Sequence, residues 1–154
     1  MTKTIFVLNG PNLGLLGSRE PHLYGHSTLA DIESELSALA CSAGFTLDFR
    51  QTDAEHEMLH HVHDARAGAA GIVINPAAFS YSSYSVLDAL KMCDCPIIEV
   101  HLTNLHRRDE VWRAQSIMTR AVTGTIRVGK LLLDQPLPAS GEWGNGLRGK
   151  ARRS

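Results

Sequence analysis

Apolar side chains in this chain fall into short continuous runs and into longer stretches with a helical spacing of about 3.6 residues. Continuous runs are typical of strands buried on both faces, and strict alternation is typical of a strand with one buried face. Glycine, proline or polar residues bound each run, as expected where a strand ends in a loop. On this basis we predict five strands, at residues 5–8, 45–49, 71–74, 96–100 and 121–128.

Helical periodicity occurs between the strands. Leu29, Ile32, Leu36 and Leu39 share one helical face. Thr28 is a suitable N-terminal cap for this helix, and Gly44 is a suitable stop. The other predicted helices are one that carries Met58, Leu59, Val62 and Ala65 after a cap at Thr52 or Asp53, one from Ser82 or Ser83 through Leu90, and one from Arg107 to Met118.

The alternation of strands and helices predicts an α/β fold. Right-handed βαβ crossovers make the strands parallel and place helices on both faces of the sheet. Ligands in such sheets bind at the carboxyl ends of the strands. The loops after the first, third and fourth strands begin at Asn9, Asn75 and His101. Polar groups from three separate segments should therefore meet at one edge.

The last part of the chain has a different pattern. Residues 134–154 are rich in proline and glycine, end in a basic stretch and lack helical periodicity. We predict a catalytic domain at residues 1–133 and an irregular, flexible tail at residues 134–154.

Composition narrows the class of protein. The chain has 154 residues, of which 44% are hydrophobic and 20% charged, with a formal net charge of −1. This balance gives no electrostatic basis for binding nucleic acid or an anionic membrane. Three cysteines do not suit a disulfide framework, and the first apolar run is too short for a signal peptide or a membrane span. We therefore expect a cytoplasmic protein with reduced thiols.

The glycine-rich loop at residues 9–25 is the most informative segment. It contains a cation, Arg19, and a phenol, Tyr24. Tyrosine, with a reference pKa of about 10, is a poor base unless a neighbouring cation favours the phenolate. Arg19 is close enough in sequence to do so. The alternative is an ordinary surface loop in which neither side chain has a chemical role.

Two more segments place candidate chemistry at the same edge. Glu99 and His101 point to the same face of the fourth strand, because side chains alternate. Glu99 could orient the ring and favour its protonated form, which suits a proton donor. A histidine bonded only to backbone is the alternative. Asn75 precedes several hydroxyl side chains at the start of a predicted helix, and a helix N-terminus favours the binding of an anion. Ordinary capping of the helix is the alternative explanation for those hydroxyls.

Together these segments resemble the type II 3-dehydroquinate dehydratases. The family signature L-N-G-P-N-L-x-x-L-G-x-R-E-P-x-x-Y-G is matched at residues 8–25. Its I-N-P segment is matched at residues 74–76, and its I-E-V-H segment at residues 98–101, with Asn104 in register. Residues 50–55 resemble its R-Q-S-x-x-E stretch. The resemblance covers most of residues 4–129.

The resemblance implies a flavodoxin-like three-layer sandwich with a five-stranded parallel sheet. It also implies reversible dehydration of 3-dehydroquinate to 3-dehydroshikimate. Tyr24 would remove the proton α to the ketone, Asn12 would stabilise the enolate, and His101 would protonate the departing hydroxyl. Neither metal nor cofactor is implied. The supporting charges would be Arg19 and Arg108 beside the base and Glu99 beside the acid.

Substrate binding and assembly are implied in the same way. Asn75 would bind ring hydroxyls, and the backbone at Leu102 and Thr103 would hold the substrate carboxylate. Asp88 resembles a residue that reaches the site of a neighbouring subunit. A homo-oligomer follows, expected to be a dodecamer built from trimers. The other substrate-binding positions implied are Tyr81, Arg108 and Arg113.

Several family positions differ in this chain. Tyr81 stands where the family has histidine, Ala77 where it has glycine, and Leu87 where it has arginine. An extra residue after His106 makes Arg113 the match to the ring-binding arginine. These changes leave two alternatives: a non-catalytic small-molecule-binding relative, or the same elimination on a related cyclic hydroxy-acid.

Two patterns of metal-binding residue types remain. His56, His60 and His63 have a spacing on the second predicted helix that can bind zinc, but no carboxylate or cysteine clearly completes a site. A solvated or subunit-facing helix surface is the favoured interpretation. Residues 93–95 read Cys-Asp-Cys, which lacks C-x-x-C spacing; we interpret the segment as a turn, with metal binding as the alternative. We predict no metal site.

Overall fold

The five strands form one parallel sheet. The computed structural model describes residues 3–18, 26–102 and 116–127. The sheet order is β2-β1-β3-β4-β5, and every neighbouring pair is parallel. This confirms the predicted five-stranded parallel sheet, and the 2-1-3-4-5 order is that of flavodoxin-like folds. The strands are Lys3–Asn9 (β1), Phe45–Gln51 (β2), Ala69–Asn75 (β3), Ile97–His101 (β4) and Gly124–Arg127 (β5).

Helices connect the strands with the local chemistry that the sequence indicates. Thr28 caps the first helix by accepting a hydrogen bond from the Asp31 N–H, and the Asp31 carboxylate accepts from the Thr28 N–H in return. Ser83 caps another helix by accepting from the Val86 N–H at 3.0 Å. The helices are Leu29–Ser42 (α1), Glu55–Arg66 (α2), Phe79–Ser82 (α3) and Tyr84–Lys91 (α4), with 3₁₀ turns at Leu13–Leu15 and Ile117–Arg120.

Helices lie on both faces of the sheet. The β1–β2 connection runs in the opposite direction along the sheet from the β2–β3 and β3–β4 connections. Right-handed crossovers therefore place α1 on one face and α2 and α4 on the other. The main core lies on the α2/α4 face, where Met58, Val62 and Leu90 are fully buried against Ile72 and Ile74. This face also receives the buried side chains of β4.

Three predicted boundaries are wrong. Neither Thr52 nor Asp53 caps α2, because the N-cap is Ala54 and Thr52 instead accepts a bond from the Ala54 N–H. The predicted helix from residue 107 cannot run through residue 118, because Ser116 has an extended backbone and begins a separate 3₁₀ turn. The strand predicted from residue 121 begins only at Gly124.

Other predictions fall outside the described residues. They include residues 107–115 of the fourth predicted helix, residue 128 of the fifth strand, and the proposed boundary between residues 133 and 134. None of the described helices is long and apolar enough to cross a membrane.

Candidate active site

Loops from β1 and β3 are in direct backbone contact at the carboxyl edge of the sheet. Asn9 and Asn75, the last residues of these strands, are register partners. The Gly10 N–H donates to the Asn75 carbonyl oxygen at 2.8 Å. A Cβ at Gly10 would lie 2.4 Å from the Pro76 carbonyl oxygen, so only glycine fits without movement. The glycine-rich loop and the Asn75 segment are therefore joined where the sequence predicts.

Asn12 is held in a left-handed conformation at the start of the glycine-rich loop. Its φ and ψ are 66° and 0°. Its backbone N–H donates to Asp53 Oδ1 at 2.8 Å. Gln51 Nε2 donates to the same carboxylate oxygen at 3.0 Å and to the Gly10 carbonyl at 3.3 Å. Neither Gln51 nor Asp53 was predicted as a site residue, although the polar run at the end of the second strand was the available signal.

Asn75 is half-buried at the end of β3, and its side chain shapes the turn that follows. Asn75 Oδ1 accepts from the Ala77 N–H at 3.3 Å. Ala77 has a φ of 48°, in the left-handed region that favours glycine. Glycine, which the resemblance implies at this position, would adopt this φ without strain. The turn leads into α3, where Tyr81 is half-buried and Ser80 is fully buried.

Glu99 and His101 form a buried hydrogen-bonded pair on β4. Glu99 Oε1 lies 2.7 Å from His101 Nε2, and the exposed fractions of the two residues are 0% and 4%. The contact confirms that the two side chains share one face of the strand. With Nε2 bonded to Glu99, Nδ1 is the ring position from which a proton could pass to a ligand. The carboxylate thus orients the ring.

The Glu99 carboxylate is stabilised as an anion despite its burial. Burial alone raises the pKa of Glu99, but hydrogen bonds from His101 and Ser116 and the charge of His101 outweigh it. The pKa of Glu99 therefore lies below its usual value of 4.5. Thr125 Oγ1 on β5 also donates to Glu99 Oε2, at 3.4 Å. An ionised carboxylate behind the ring is what a proton-donating histidine requires.

Two other predicted site residues lie at the periphery. Leu102, half-buried, follows His101 directly at the end of β4. Asp88 is exposed on α4, on the same helical face as Tyr84 and Lys91. Its side chain faces away from the core of its own chain. The remaining predicted site residues lie outside the described part of the chain: Arg19, Tyr24, Thr103, Arg108 and Arg113.

The histidines of α2 and the cysteines at residues 93 and 95 do not come together as a set of metal ligands. The rings of His60 and His63 are in edge contact, with centroids 6.4 Å apart. Within residues 3–18, 26–102 and 116–127, no three histidine, cysteine or acidic side chains are arranged to hold a metal ion. Cys93 and Cys95 are free and half-buried, and burial raises the pKa of both thiols. Raised thiol pKa values disfavour the thiolate that metal binding needs.

Comparisons with known proteins identify the family. Residues 3–131 match the family model for class II dehydroquinase. The chain is 47% identical over 126 residues to the 3-dehydroquinate dehydratase of Methylobacterium radiotolerans, covering 82% of this chain and 84% of the relative. It is 49% identical over 126 residues to 3-dehydroquinate dehydratase 2 of Pseudomonas aeruginosa, with the same two coverages.

Solved structures give the same result. The crystal structure of type II dehydroquinase from Propionibacterium acnes superposes with a TM-score of 0.79 at 43% identity, covering 83% of this chain and 88% of that one. The sequence match, the fold and the buried pair on β4 all lead to one assignment. The chain belongs to the class II dehydroquinase family.

Proposed function

We propose that this protein is a hydro-lyase that converts 3-dehydroquinate reversibly to 3-dehydroshikimate and water. The observation that carries this is the buried Glu99–His101 pair, which ends β4 at the edge where the glycine-rich loop begins. Curated relatives at 47% and 49% identity are named for this reaction. A binding protein without turnover has no need of a carboxylate-oriented histidine at this edge.

The proposed reaction has two steps. Tyr24, as phenolate, takes the proton α to the ketone, and the C–H electron pair passes into the enolate. The enolate then reforms the ketone and expels the β-hydroxyl, which takes a proton from His101 and leaves as water. The ketone itself accommodates the charge of the enolate, so the chemistry asks for neither a metal nor a cofactor.

Three groups support these steps in the proposal. Asn12 stabilises the negative charge that develops on the enolate oxygen, through a bound water. Arg19 and Arg108 favour the phenolate form of Tyr24 by their positive charge. The position of Asn12, fixed through its backbone N–H, is compatible with a preorganised role.

Substrate recognition uses the surrounding segments. We assign ring hydroxyls to Asn75 and Tyr81, and the substrate carboxylate to the backbone at Leu102 and Thr103. Asn75 already turns its side-chain oxygen to the Ala77 N–H, which leaves the amide nitrogen as a donor for a hydroxyl. The other substrate-binding residues proposed are Arg113, Arg108 and, from a neighbouring subunit, Asp88.

A direct assay tests the activity. Purified protein mixed with 3-dehydroquinate should give rising ultraviolet absorbance from the conjugated enone of 3-dehydroshikimate. Tyr24→Phe keeps the ring but removes the base, so it should lower kcat by at least about a hundredfold. Turnover by the unaltered chain no faster than by Tyr24→Phe would reject the function.

Assembly and location are part of the same proposal. We propose a homo-oligomer, a dodecamer built from trimers, because the exposed Asp88 has its proposed role only beside another copy. We also propose a cytoplasmic location, which suits three free cysteines. Light scattering after size exclusion tests the mass, and fractionation of the source cells tests the location.

A further inference from the structure

We propose that Asp53 is a positioning residue, which sets the place of Asn12 for the reaction. This inference rests on the proposed function, because it gives Asn12 a role in stabilising the enolate. Asp53 Oδ1 accepts the backbone N–H of Asn12 at 2.8 Å, across 41 positions of sequence. The bond joins the loop after β2 to the glycine-rich loop after β1.

The conformation of Asn12 makes such an anchor useful. Asn12 has a φ of 66°, and asparagine occupies this left-handed region more readily than most residues but still less easily than glycine. The direction of its side chain depends on that backbone conformation. A charge-assisted hydrogen bond to the Asn12 N–H holds the peptide that sets this direction.

Gln51 ties Asp53 and the loop together. Its amide nitrogen donates to Asp53 Oδ1 at 3.0 Å and to the Gly10 carbonyl at 3.3 Å. The Thr52 N–H donates to the Asn9 carbonyl at 3.0 Å. Three consecutive residues at the end of β2 and just after it therefore bond to the first residues of the glycine-rich loop. This polar clamp, residues 51–53, orients the carboxylate of Asp53 toward Asn12.

The bonding of Asp53 is directed to the site loop and not to its own helix. α2 has Ala54 as its N-cap and receives no side-chain cap. Asp31, by contrast, uses its carboxylate for the cap of its own helix, through bonds to Thr28. The observed bonds therefore favour a role for Asp53 in the geometry of the glycine-rich loop over a role in capping α2.

Steady-state kinetics of matched variants test this role. Asp53→Ala should lower kcat about tenfold and change KM less than about threefold. The reason is that the enolate oxygen, which Asn12 stabilises in the proposal, carries its full negative charge only after Tyr24 has taken the proton. Asp53→Asn keeps an acceptor oxygen and should recover most of the loss. Asp94→Ala, which removes an exposed carboxylate from the turn before β4, is the matched control and should leave kcat unchanged.

A double-mutant cycle separates positioning from a general structural effect. Asn12→Gly removes the side chain while tolerating the left-handed backbone. If Asp53 acts through Asn12, then Asp53→Ala causes no further loss of kcat in the Asn12→Gly background. A further tenfold loss there, or a loss that Asp53→Asn does not recover, overturns the proposal.

The outcomes distinguish the two proposals. If the unaltered protein does not turn over 3-dehydroquinate, the proposed function fails and this inference fails with it. If the unaltered protein is active and Asp53→Ala matches it in kcat, only the positioning role fails. A thermal midpoint for Asp53→Ala equal to that of Asp94→Ala shows that any kinetic loss is not a loss of folded protein.

Discussion

At the scale of single residues, the buried carboxylate of Glu99 is the most consequential group. A fully buried carboxylate is costly unless several donors meet it. Here His101, Ser116 and Thr125 supply donors from three parts of the chain. The network therefore couples the orientation of the proposed acid to the stability of the fold.

Acidification should weaken this stabilising network. Because the folded-state pKa of Glu99 lies below 4.5, its contribution is fully present above that value and is lost as the pH falls through the lowered folded-state pKa. We expect Glu99→Gln to cost about 1 to 3 kcal/mol of unfolding free energy near neutral pH. Chemical denaturation across the acidic range should show this difference shrinking. A difference that stays constant down to about pH 2 would contradict the assignment.

Ala77 stores backbone strain that glycine would relieve. Its φ of 48° costs a non-glycine residue about 1 to 2 kcal/mol, against about 0.5 to 1 kcal/mol of extra chain entropy for glycine. Ala77→Gly should therefore stabilise the protein by about 0.5 to 1 kcal/mol, read as a higher thermal midpoint.

Ala78 provides the matched control for this substitution. Ala78 is adjacent and has an ordinary φ of −66°. Ala78→Gly therefore relieves no strain, increases the entropy of the unfolded chain and should lower the thermal midpoint. Equal effects of the two substitutions would mean that Ala77 is not strained.

At the scale of elements, the site depends on how closely two loops approach. The β1 loop passes over the Pro76 carbonyl at a distance that excludes any Cβ at Gly10. On the other side of β1, Gln51 at the end of β2 and Thr52 just after it donate hydrogen bonds to the carbonyl oxygens of Gly10 and Asn9. The start of the glycine-rich loop is thus confined between its neighbours on both sides in the sheet.

Gly10→Ala should displace this segment. The added methyl would meet backbone atoms, so we expect a loss of about 1 to 3 kcal/mol in stability and a large loss of kcat. Gly68→Ala is the control, because its Cβ would enter open space. Circular dichroism melting and the turnover assay compare the two. Wild-type activity in Gly10→Ala would show that the loop contact is not needed.

At the scale of the whole molecule, most of the sheet was predictable from the sequence. Buried parallel strands leave continuous apolar runs, and the polar residues that follow them mark the functional edge. The Glu99–His101 contact was predictable for the same reason, since side-chain alternation alone places both on one face. The capping roles of Thr28 and Ser83 followed from local chemistry.

The wrong predictions for the cap of α2 and for the helix from residue 107 arose where a polar side chain had more than one available hydrogen-bond partner. Ser116 accepts a hydrogen bond from the Met118 N–H, so it begins a 3₁₀ turn and is not an interior residue of the predicted helix. Asp53 was a reasonable cap for α2, but its partner is Asn12, far away in sequence. No local pattern distinguishes these choices, because the deciding contact forms only after the strands are aligned.

The outer face of α4 offers a test of assembly. Tyr84 is 64% exposed and lies one turn from Asp88 on this face. If this face meets another copy, Tyr84→Glu should bury an unpaired charge and lower the molar mass measured by light scattering. Ser34→Glu adds the same charge to an exposed position of α1 and should leave the mass unchanged. Equal masses for both variants would place the contact elsewhere.

The burial of His101 among core residues has a consequence for how such an enzyme can diversify. Its ring shares a strand face with Ile97, which packs in the main core. Most random substitutions around the ring would destabilise the fold, so such variants would be lost before any effect on the reaction could be selected. Libraries selected for activity on other cyclic hydroxy-acids should therefore accumulate changes at residues 77–82, on the turn and short helix that follow β3, apart from the fully buried Ser80, while β4 stays unchanged.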